Sequence, residues 1–370
     1  RPAAAEYDPA ARTWVQMADT TNQPQEFCNN MLFGAMCYDP VNQEVIAGQF
    51  EWVYKDGRWK KLELGSAQIN GLRAKAESLG VRARNLAGAC RARYYIAESE
   101  AEANVRLDRV AADLTKEART LGDELRTASE KAQGYEKQRL GWAGESLAAA
   151  MELLKKAESA LGSKMTAETI SAADAIRAKM EHAALALAVC PPKRAHARMV
   201  FDEKNRKIVL FGGYTLDRMI ADTWIYDPTA RRWEQRRPKL SPSPRFSHKL
   251  VYLPQSGKVL LIGGYGDQGD LRKENTEMWT YDVASNEWQL LRDAAPPNAN
   301  AEFPVPAAAD ANDTVVTFIR DPAVKEYFRF ALLTISARID TSRIDAEGTG
   351  KRGVPPLTEC GQLPPAEDPQ

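Results

Sequence analysis

The chain has 370 residues, which is long enough for two ordinary domains with a sizeable core. Hydrophobic residues make up 44% and charged residues 27%, the proportions of a soluble globular protein. Basic and acidic residues number 50 each, so the net charge is zero and predicts no general attraction to nucleic acid or to an anionic membrane. No apolar run approaches the roughly 18 residues that span a bilayer.

The N-terminal part of the chain carries a short aromatic repeat. Trp14 follows Tyr7 by seven residues, and a tighter copy places Trp59 after Tyr54. Asp-Pro or Asp-Gly between the aromatic residues predicts a turn, and the aromatic residues themselves favour strands. We expect one lone strand over Glu6–Met17, the last strand of an otherwise missing sheet, and then one complete four-stranded sheet that ends near position 64.

Residues 66–189 contain no proline and are dense in Ala, Glu, Lys, Arg and Leu, which predicts long helices. Apolar positions from Leu107 to Ala128 recur about every 3.5 residues, the period of a coiled-coil or bundle seam. We expect three antiparallel helices, over residues 66–132, 135–161 and 166–189. The first should break near Gly80 or Gly88. Two interpretations stay open: an arm that binds a partner or self-associates, and a packed bundle without a partner.

Two similar units follow the helices. Each contains two apolar strands around a polar turn, then a glycine pair, a variable loop and a Tyr-Asp pair with a Trp seven residues after the Tyr. The glycine pairs are Gly212 with Gly213 and Gly263 with Gly264. The aromatic pairs are Tyr226 with Trp233 and Tyr281 with Trp288. Glycine in these places indicates a need for backbone freedom or for a close approach of another chain segment.

Arg-Ala-His and Arg-Phe-Ser-His precede the two units, at His196 and His248. The complete unit resembles the kelch repeat, in which each repeat forms a four-stranded blade of a β-propeller. The resemblance is strong over residues 194–292 and weaker over 27–64 and 303–340. It implies a structural role for the repeat Tyr and Trp residues, which pack between blades, and a hydrogen-bonding role for the two histidines. Tyr7 and Trp14 belong to the same set.

The resulting prediction is a mainly β propeller of kelch-like blades of the bacterial type, as a full or partial ring, plus an α-helical coiled-coil or bundle insertion. The domains are expected at 1–64 (one strand and one blade), 65–190 (helices), 191–340 (about three blades) and 341–370 (extended tail). Propellers commonly have about four to eight blades, and the kelch resemblance implies six or seven. The chain also opens at Arg1, inside a repeat, so we expect a fragment or a processed protein, with an extracytoplasmic location slightly favoured.

The five cysteines form no Cys-x-x-Cys pair, which does not favour a zinc site. Buried thiols and disulfides, such as Cys28–Cys37 or Cys90–Cys190, both stay open, and Cys360 lies in the expected tail. Only three histidines are present, so a copper site like that of galactose oxidase is not expected. Motifs for phosphate, dinucleotide or hydrolytic chemistry are absent from the sequence. We therefore expect neither enzymatic activity nor a cofactor or metal.

A basic cluster around Trp233 is the candidate binding feature, either for an acidic partner or sugar acid or as an ordinary solvated loop. Its members are Arg231, Arg232, Arg236 and Arg237, with Lys239 nearby. Three functions remain in competition. The favoured one is a protein-interaction scaffold that uses the propeller loops and the helical arm to bind an unknown protein partner. The others are a sugar-binding or sugar-isomerising propeller, similar to bacterial kelch-type sialic acid mutarotases, and a structural subunit that self-associates through the helical insertion.

Overall fold

The computed structural model describes residues 5–8, 13–16, 35–47, 50–95, 107–161, 165–215, 218–266, 273–275, 277–292, 307–313, 315–320 and 330–335.

The N-terminal segment forms a β-hairpin. Strand β1 (Ala5–Asp8) pairs antiparallel with β2 (Thr13–Gln16), and Tyr7 lies opposite Trp14. The expected lone strand is therefore wrong, because one Tyr-to-Trp unit spans two strands and the turn between them.

Sheet A follows as a four-stranded antiparallel meander. Its strands are β3 (Met36–Asp39), β4 (Glu44–Ala47), β5 (Trp52–Lys55) and β6 (Arg58–Lys61), paired in that order. The first turn is closed by the Asp39 carboxylate, which accepts a hydrogen bond from the backbone N–H of Val41 at 2.8 Å. An aspartate that bonds the backbone two residues later favours a tight turn over continued strand.

Four helices then form a bundle: α1 (Ala67–Tyr95), α2 (Leu107–Lys131), α3 (Gly134–Leu161) and α4 (Ala167–Ala186). The helices α1 and α3 each pack against both α2 and α4. The expected break near Gly80 or Gly88 is wrong, since α1 runs through both glycines and ends at Tyr95. Tertiary packing of the buried leucines and alanines outweighs the low helix propensity of an isolated glycine.

Sheets B, C and D complete the described fold. Sheet B contains β7 (Arg198–Asp202), β8 (Lys207–Phe211), β9 (Thr223–Asp227) and β10 (Arg232–Arg236). A small sheet is formed by β11 (Arg245–Phe246), β14 (Tyr265–Gly266) and β15 (Lys273–Glu274). Sheet C contains β12 (Lys249–Leu253), β13 (Lys258–Ile262), β16 (Met278–Asp282) and β17 (Glu287–Arg292). Sheet D contains β18 (Ala307–Ala309), β19 (Val315–Arg320) and β20 (Phe330–Ile335).

The sheets stand side by side in chain order. The first strands of sheets A and B, β3 and β7, are neighbours, and β12 of sheet C lies between β7 and β18 of sheet D. Apolar side chains of consecutive sheets fill the spaces between them. The helical bundle interrupts the sequence between sheets A and B without separating them in space, and its core is continuous with theirs.

The cysteines in the described residues are free thiols. Cys37, Cys90 and Cys190 form no disulfide, so the pairings Cys28–Cys37 and Cys90–Cys190 are wrong. Burial raises the pKa of Cys37 to about 12 and that of Cys190 to about 11, which keeps both thiols protonated and poorly nucleophilic.

None of the helices in the described residues combines the length and the apolar composition that crossing a membrane requires.

Candidate functional site: the loop face of sheets B and C

A buried arginine anchors the start of each complete repeat. The Arg194 guanidinium pairs with the Asp222 carboxylate, with Nη2 and Oδ2 2.9 Å apart, and Nη1 donates to the Gly212 carbonyl oxygen at 3.0 Å. Trp224 Nε1 donates to the same carboxylate at 2.7 Å. A buried charge needs such a set of partners, since it is costly to bury alone. This network fixes the glycine turn against the strand that follows it.

The second repeat contains the same network at equivalent positions. Arg245 Nη2 lies 2.6 Å from Glu277 Oε2, and Nη1 donates to the Gly263 carbonyl oxygen at 3.1 Å. Trp279 Nε1 donates to that carboxylate at 2.9 Å. The sequence pattern indicates the arginine and the glycine but does not by itself single out their acidic partner. In both repeats this partner lies two positions before a tryptophan, so an Asp/Glu-x-Trp spacing is the sequence signal that predicts it.

The glycine pairs adopt backbone conformations that other residues resist. Gly213 has φ +103°, and a Cβ there would lie 2.9 Å from the Ala195 carbonyl oxygen. Gly264 has φ +100°, and a Cβ there would lie 2.8 Å from His248 Cβ. Glycine is needed both for the positive φ and for the close approach of the segment that begins the same repeat. The loops after both pairs are thereby held at the same end of the sheets.

At this end, four rings from the segments that flank sheet B and from the small sheet beside sheet C form one contiguous group. Phe246 lies with its ring centroid 5.5 Å from that of His196, 6.2 Å from Tyr214 and 5.6 Å from Tyr265. Tyr214 is exposed, and the other three are half-buried. His196 Nδ1 lies 2.9 Å from the buried Ser247 Oγ, a hydrogen bond that ties sheet B to sheet C. We call this group the aromatic loop face.

Basic groups lie beside the aromatic loop face, at the beginnings of β7 and β12. Burial and the neighbouring Arg198 lower the pKa of Lys249 to about 8, and the same two causes lower the pKa of His196. Burial, with Arg198 and Arg245 nearby, pushes the pKa of His248 well below its usual range. Among the described residues, Arg198 donates to the Ala197 carbonyl oxygen at 3.0 Å and pairs with no carboxylate. The local potential is therefore positive.

The helical bundle stands next to this face. Arg237, just after β10, lies 4.0 Å from the ring centroid of Trp142 on α3, a cation–π contact. Burial lowers the pKa of His182 on α4, and Arg237 and Arg218, which lies between β8 and β9, lower it further. The bundle thus packs along the outer strand and the loops of sheet B and borders the aromatic loop face.

The repeat aromatics lie between neighbouring sheets. Trp233 Nε1 of sheet B donates to the Phe50 carbonyl oxygen of sheet A at 2.7 Å. Trp288 Nε1 of sheet C donates to Thr223 Oγ1 of sheet B at 3.0 Å. Tyr226 and Tyr281 lie opposite these tryptophans in the strand register. For Tyr7 and Trp14 the structure describes the same register, Tyr7 opposite Trp14.

The four candidate arginines lie on β10 or directly beside it, and each contacts another side chain of the same chain. Arg231 Nη2 lies 3.0 Å from Glu44 Oε2 of sheet A, and Arg237 covers Trp142. Arg232 and Arg236 both pair with Glu234. They do not converge on a common point, so a shared anion site at this cluster is not the best candidate. Within the described residues, no group of His, Cys, Asp and Glu is placed to hold a metal ion.

Consecutive antiparallel four-stranded sheets whose first strands are neighbours define a β-propeller-like fold. Residues 174–317 match the family model described as the KLHDC2/KLHL20/DRC7 Kelch-repeats domain, and this match supports the kelch-repeat resemblance of this part of the chain. The bacterial assignment finds no support in this match.

The curated proteins that the chain resembles include the following two. It is 26% identical over 103 residues to Mei4-dependent protein 6 of Schizosaccharomyces pombe, which covers 27% of this chain. It is 30% identical over 105 residues to Multiple epidermal growth factor-like domains protein 8 of Homo sapiens, which covers 28% of this chain. The matched regions span 15% and 3% of those two proteins. The chain therefore covers only a small part of each of these two proteins.

Proposed function

We propose that the protein binds a protein partner through the aromatic loop face of sheets B and C. Kelch repeats generally mediate protein–protein interaction. The observation that carries the proposal is the contiguous group of Tyr214, Phe246, Tyr265 and His196, partly exposed at one end of two rigid sheets. Aromatic side chains offer a large contact area at a low entropic cost and are enriched in the energetic centres of interfaces.

The basic groups beside these rings give the partner its chemistry. Arg198 is half-buried and pairs with no carboxylate within the described residues, so a carboxylate of a partner would compensate its charge. Lys249, with its pKa near 8, carries a proton at neutral pH and would gain from the same anion. We therefore expect a partner segment that places an acidic group next to an aromatic or aliphatic side chain.

The two competing functions have less support. A sugar-isomerising site would need a carboxylate among the basic groups, whereas Asp222 and Glu277 already neutralise the buried Arg194 and Arg245. Self-association through the helical seam would need that seam to face outwards, but Leu114, Leu121 and the other seam leucines of α2 are buried inside the bundle. Both remain predictions with no specific contact in their favour.

A peptide-display selection against the full chain tests the proposal. We expect selected peptides to combine an acidic and an apolar residue. Their affinity for the Phe246→Ser variant and for the Arg198→Ala variant should each be lower by about tenfold or more, which corresponds to a loss of about 1.4 kcal/mol in binding free energy. Arg232→Ala is the matched control, because that arginine is exposed on β10, away from the aromatic rings. Affinities would be measured by calorimetry, and circular dichroism would check the fold of each variant.

The outcomes are distinct. Peptides that bind all three variants as tightly as the parent chain would place the interaction elsewhere on the molecule. Peptides that lose affinity for Arg232→Ala alone would restore the arginines of β10 as the binding feature. A selection that yields no binder while the variants remain folded would contradict the proposal.

A further inference from the structure

Helix α1 has an outer face that no described part of the chain covers. Its positions recur at steps of three or four residues, and all are exposed except the half-buried Ala92: Gly71, Ala74, Ser78, Val81, Asn85, Gly88, Ala92 and Tyr95. Leu72, Leu79 and Leu86 lie on the opposite side of the helix and are buried in the bundle. Because positions three and four apart share one face of a helix, α1 has two faces suited to helix contacts, and the described residues use one of them.

Large apolar side chains are exposed at the middle and at the end of this outer face. Val81 is 51% exposed, and Tyr95 is 77% exposed. The neighbouring Tyr94 is 40% exposed, and its ring centroid lies 5.0 Å from that of Tyr95 in an edge-to-face arrangement. The two rings therefore form one aromatic projection at the C-terminal end of α1.

The N-terminal end of the outer face is flat and open instead. Ala67, Gly71 and Ala74 are small and exposed, and a Cβ at Gly71 would meet no other atom within 4 Å. An open groove of about 600 Å³ adjoins Gly71 between α1 and α2, with Leu72 and Thr127 among the residues that line it. The same helix thus carries a projection at one end and a recess at the other.

Cations that border the outer face are neutralised within the chain. They pair with carboxylates of α2 and α4: Lys75 with Glu124, Arg82 with Glu117, Arg84 with Glu181 and Arg91 with Asp174. These ion pairs keep the local charge low, so an identical face can approach without strong repulsion. The border does not select a strongly charged partner.

We propose that two copies of this chain associate through the outer faces of α1, with the two helices antiparallel. An antiparallel pair centred midway between Gly71 and Tyr95 places each Tyr95 opposite Gly71 of the other copy. The aromatic projection of each copy then meets the recess of the other, and the two equivalent contacts close a two-fold dimer. A parallel pair would set Tyr95 against Tyr95 and leave both recesses empty.

The pattern of side-chain sizes supports a second copy as the occupant. In this register every position of the outer face pairs with another position of the same face: Gly71 with Tyr95, Ala74 with Ala92, Ser78 with Gly88 and Val81 with Asn85. The pairs of small residues allow the helix axes to approach to about 8 Å. The outer face of α1 is separate from the buried seam of α2 and from the aromatic loop face, so this inference does not depend on the proposed binding function.

Light scattering on the full chain at increasing concentration tests the association. We expect the mass to rise to about 82 kDa, twice the 41.0 kDa of one chain. Val81→Lys should lower the association constant by about tenfold or more, because it places two like charges near the two-fold axis. Ala112→Lys is the matched control and should still dimerise, since Ala112 is exposed on α2.

Disulfide trapping tests the antiparallel register. Val81→Cys and Asn85→Cys would be oxidised separately and as an equal mixture, with the parent chain as the background for its own cysteines. Both positions are exposed, so neither change should disturb folding. We expect a covalent dimer mainly in the mixture, with positions 81 and 85 in the linked peptides that mass spectrometry identifies.

Each other outcome decides against the proposal. A parent chain that stays at 41.0 kDa at every concentration would overturn it. A dimer that persists in Val81→Lys would place the contact on another surface, and disulfides in the separate variants but not in the mixture would indicate a parallel pair. Circular dichroism checks the helix content of Val81→Lys, and Tyr95→Ser, which removes the exposed aromatic projection, takes its place if that variant unfolds.

Discussion

The hydroxyl of Tyr135, at the start of helix α3, accepts a hydrogen bond from the backbone N–H of Gln235 at 2.6 Å. Gln235 lies on β10, the outer strand of sheet B, which pairs with β9 on one side. An unpaired N–H on an edge strand is a site for unwanted strand pairing. The bundle therefore covers part of this edge, and Tyr135 and Trp142 together hold α3 against sheet B.

Replacing Tyr135 with phenylalanine should loosen this contact. The variant loses a hydrogen bond from a largely buried position, so we expect the free energy of unfolding to fall by about 1 kcal/mol. The Gln235 amide should also exchange with deuterium faster. Tyr95→Phe is the control, because Tyr95 is exposed at the end of α1 and should show neither effect. Unchanged exchange at Gln235 in the Tyr135 variant would mean that the bundle does not protect this edge.

Two glycine-to-alanine substitutions should act in opposite directions. Gly213→Ala should destabilise the fold by about 1–3 kcal/mol, because the residue has φ +103° and its Cβ would crowd Ala195 and Ala197. Gly88→Ala should stabilise it by up to about 1 kcal/mol, since Gly88 lies within α1 with open space around its Cα. Chemical denaturation of both variants provides the measurement. A neutral Gly213→Ala variant would show that the turn relaxes without cost.

The buried arginines should matter far more than the exposed ones. Arg245→Met removes a guanidinium that bonds Glu277, Ser243 and the Gly263 carbonyl, so we expect a loss of about 3 kcal/mol in stability. Arg232→Met should change stability by less than about 0.5 kcal/mol, because that ion pair is exposed on β10. Comparable losses in the two variants would contradict the assignment of Arg245 as an anchor of the repeat.

The repeat itself was predictable from the sequence because it is local. In each of the two repeats within residues 194–292, the Tyr-to-Trp spacing, the apolar strands and the glycine pair lie within about 50 positions, and each has a direct meaning for a strand or a turn. The hairpin at Tyr7 and Trp14 was underestimated for a related reason. Because no apolar strand precedes this unit, its pattern predicts a single strand, although the turn residues already imply two.

The pairing of distant groups could not be predicted in the same way. Arg194 and Asp222 are separated by a hairpin and a loop, and the Tyr135 contact with Gln235 joins residues 100 positions apart. The basic cluster around Trp233 is evident in the sequence, but its contacts with Glu44, Glu234 and Trp142 depend on how the sheets and the bundle pack. Likewise the aromatic loop face combines residues from two repeats, each unremarkable in its own segment.

Lys249 provides a pH-dependent test of the loop face. Its side chain is only 4% exposed, and its pKa falls from 10.5 to about 8 because burial and Arg198 disfavour the charged form. The unfolded chain therefore holds this proton more tightly than the folded chain. Stability from this group is reduced below pH 8, rises between pH 8 and about 10.5, and is constant above. A shift of this size corresponds to about 3 kcal/mol.

Lys249→Met should remove that pH dependence. We expect the variant to be more stable than the parent chain at pH 7, and this difference in stability should shrink as the pH rises towards 10.5. Lys60→Met, at an exposed position, is the control and should not show this trend. Binding of an acidic peptide should follow the opposite course in the parent chain, strongest below pH 8 and weaker above, because Lys249 then loses its charge. Denaturation and calorimetry from pH 6 to pH 10 measure both. The opposite result is that the parent chain and the methionine variant show the same pH dependence of stability and of peptide affinity across this range. That result would show that Lys249 is not buried as a cation at the loop face.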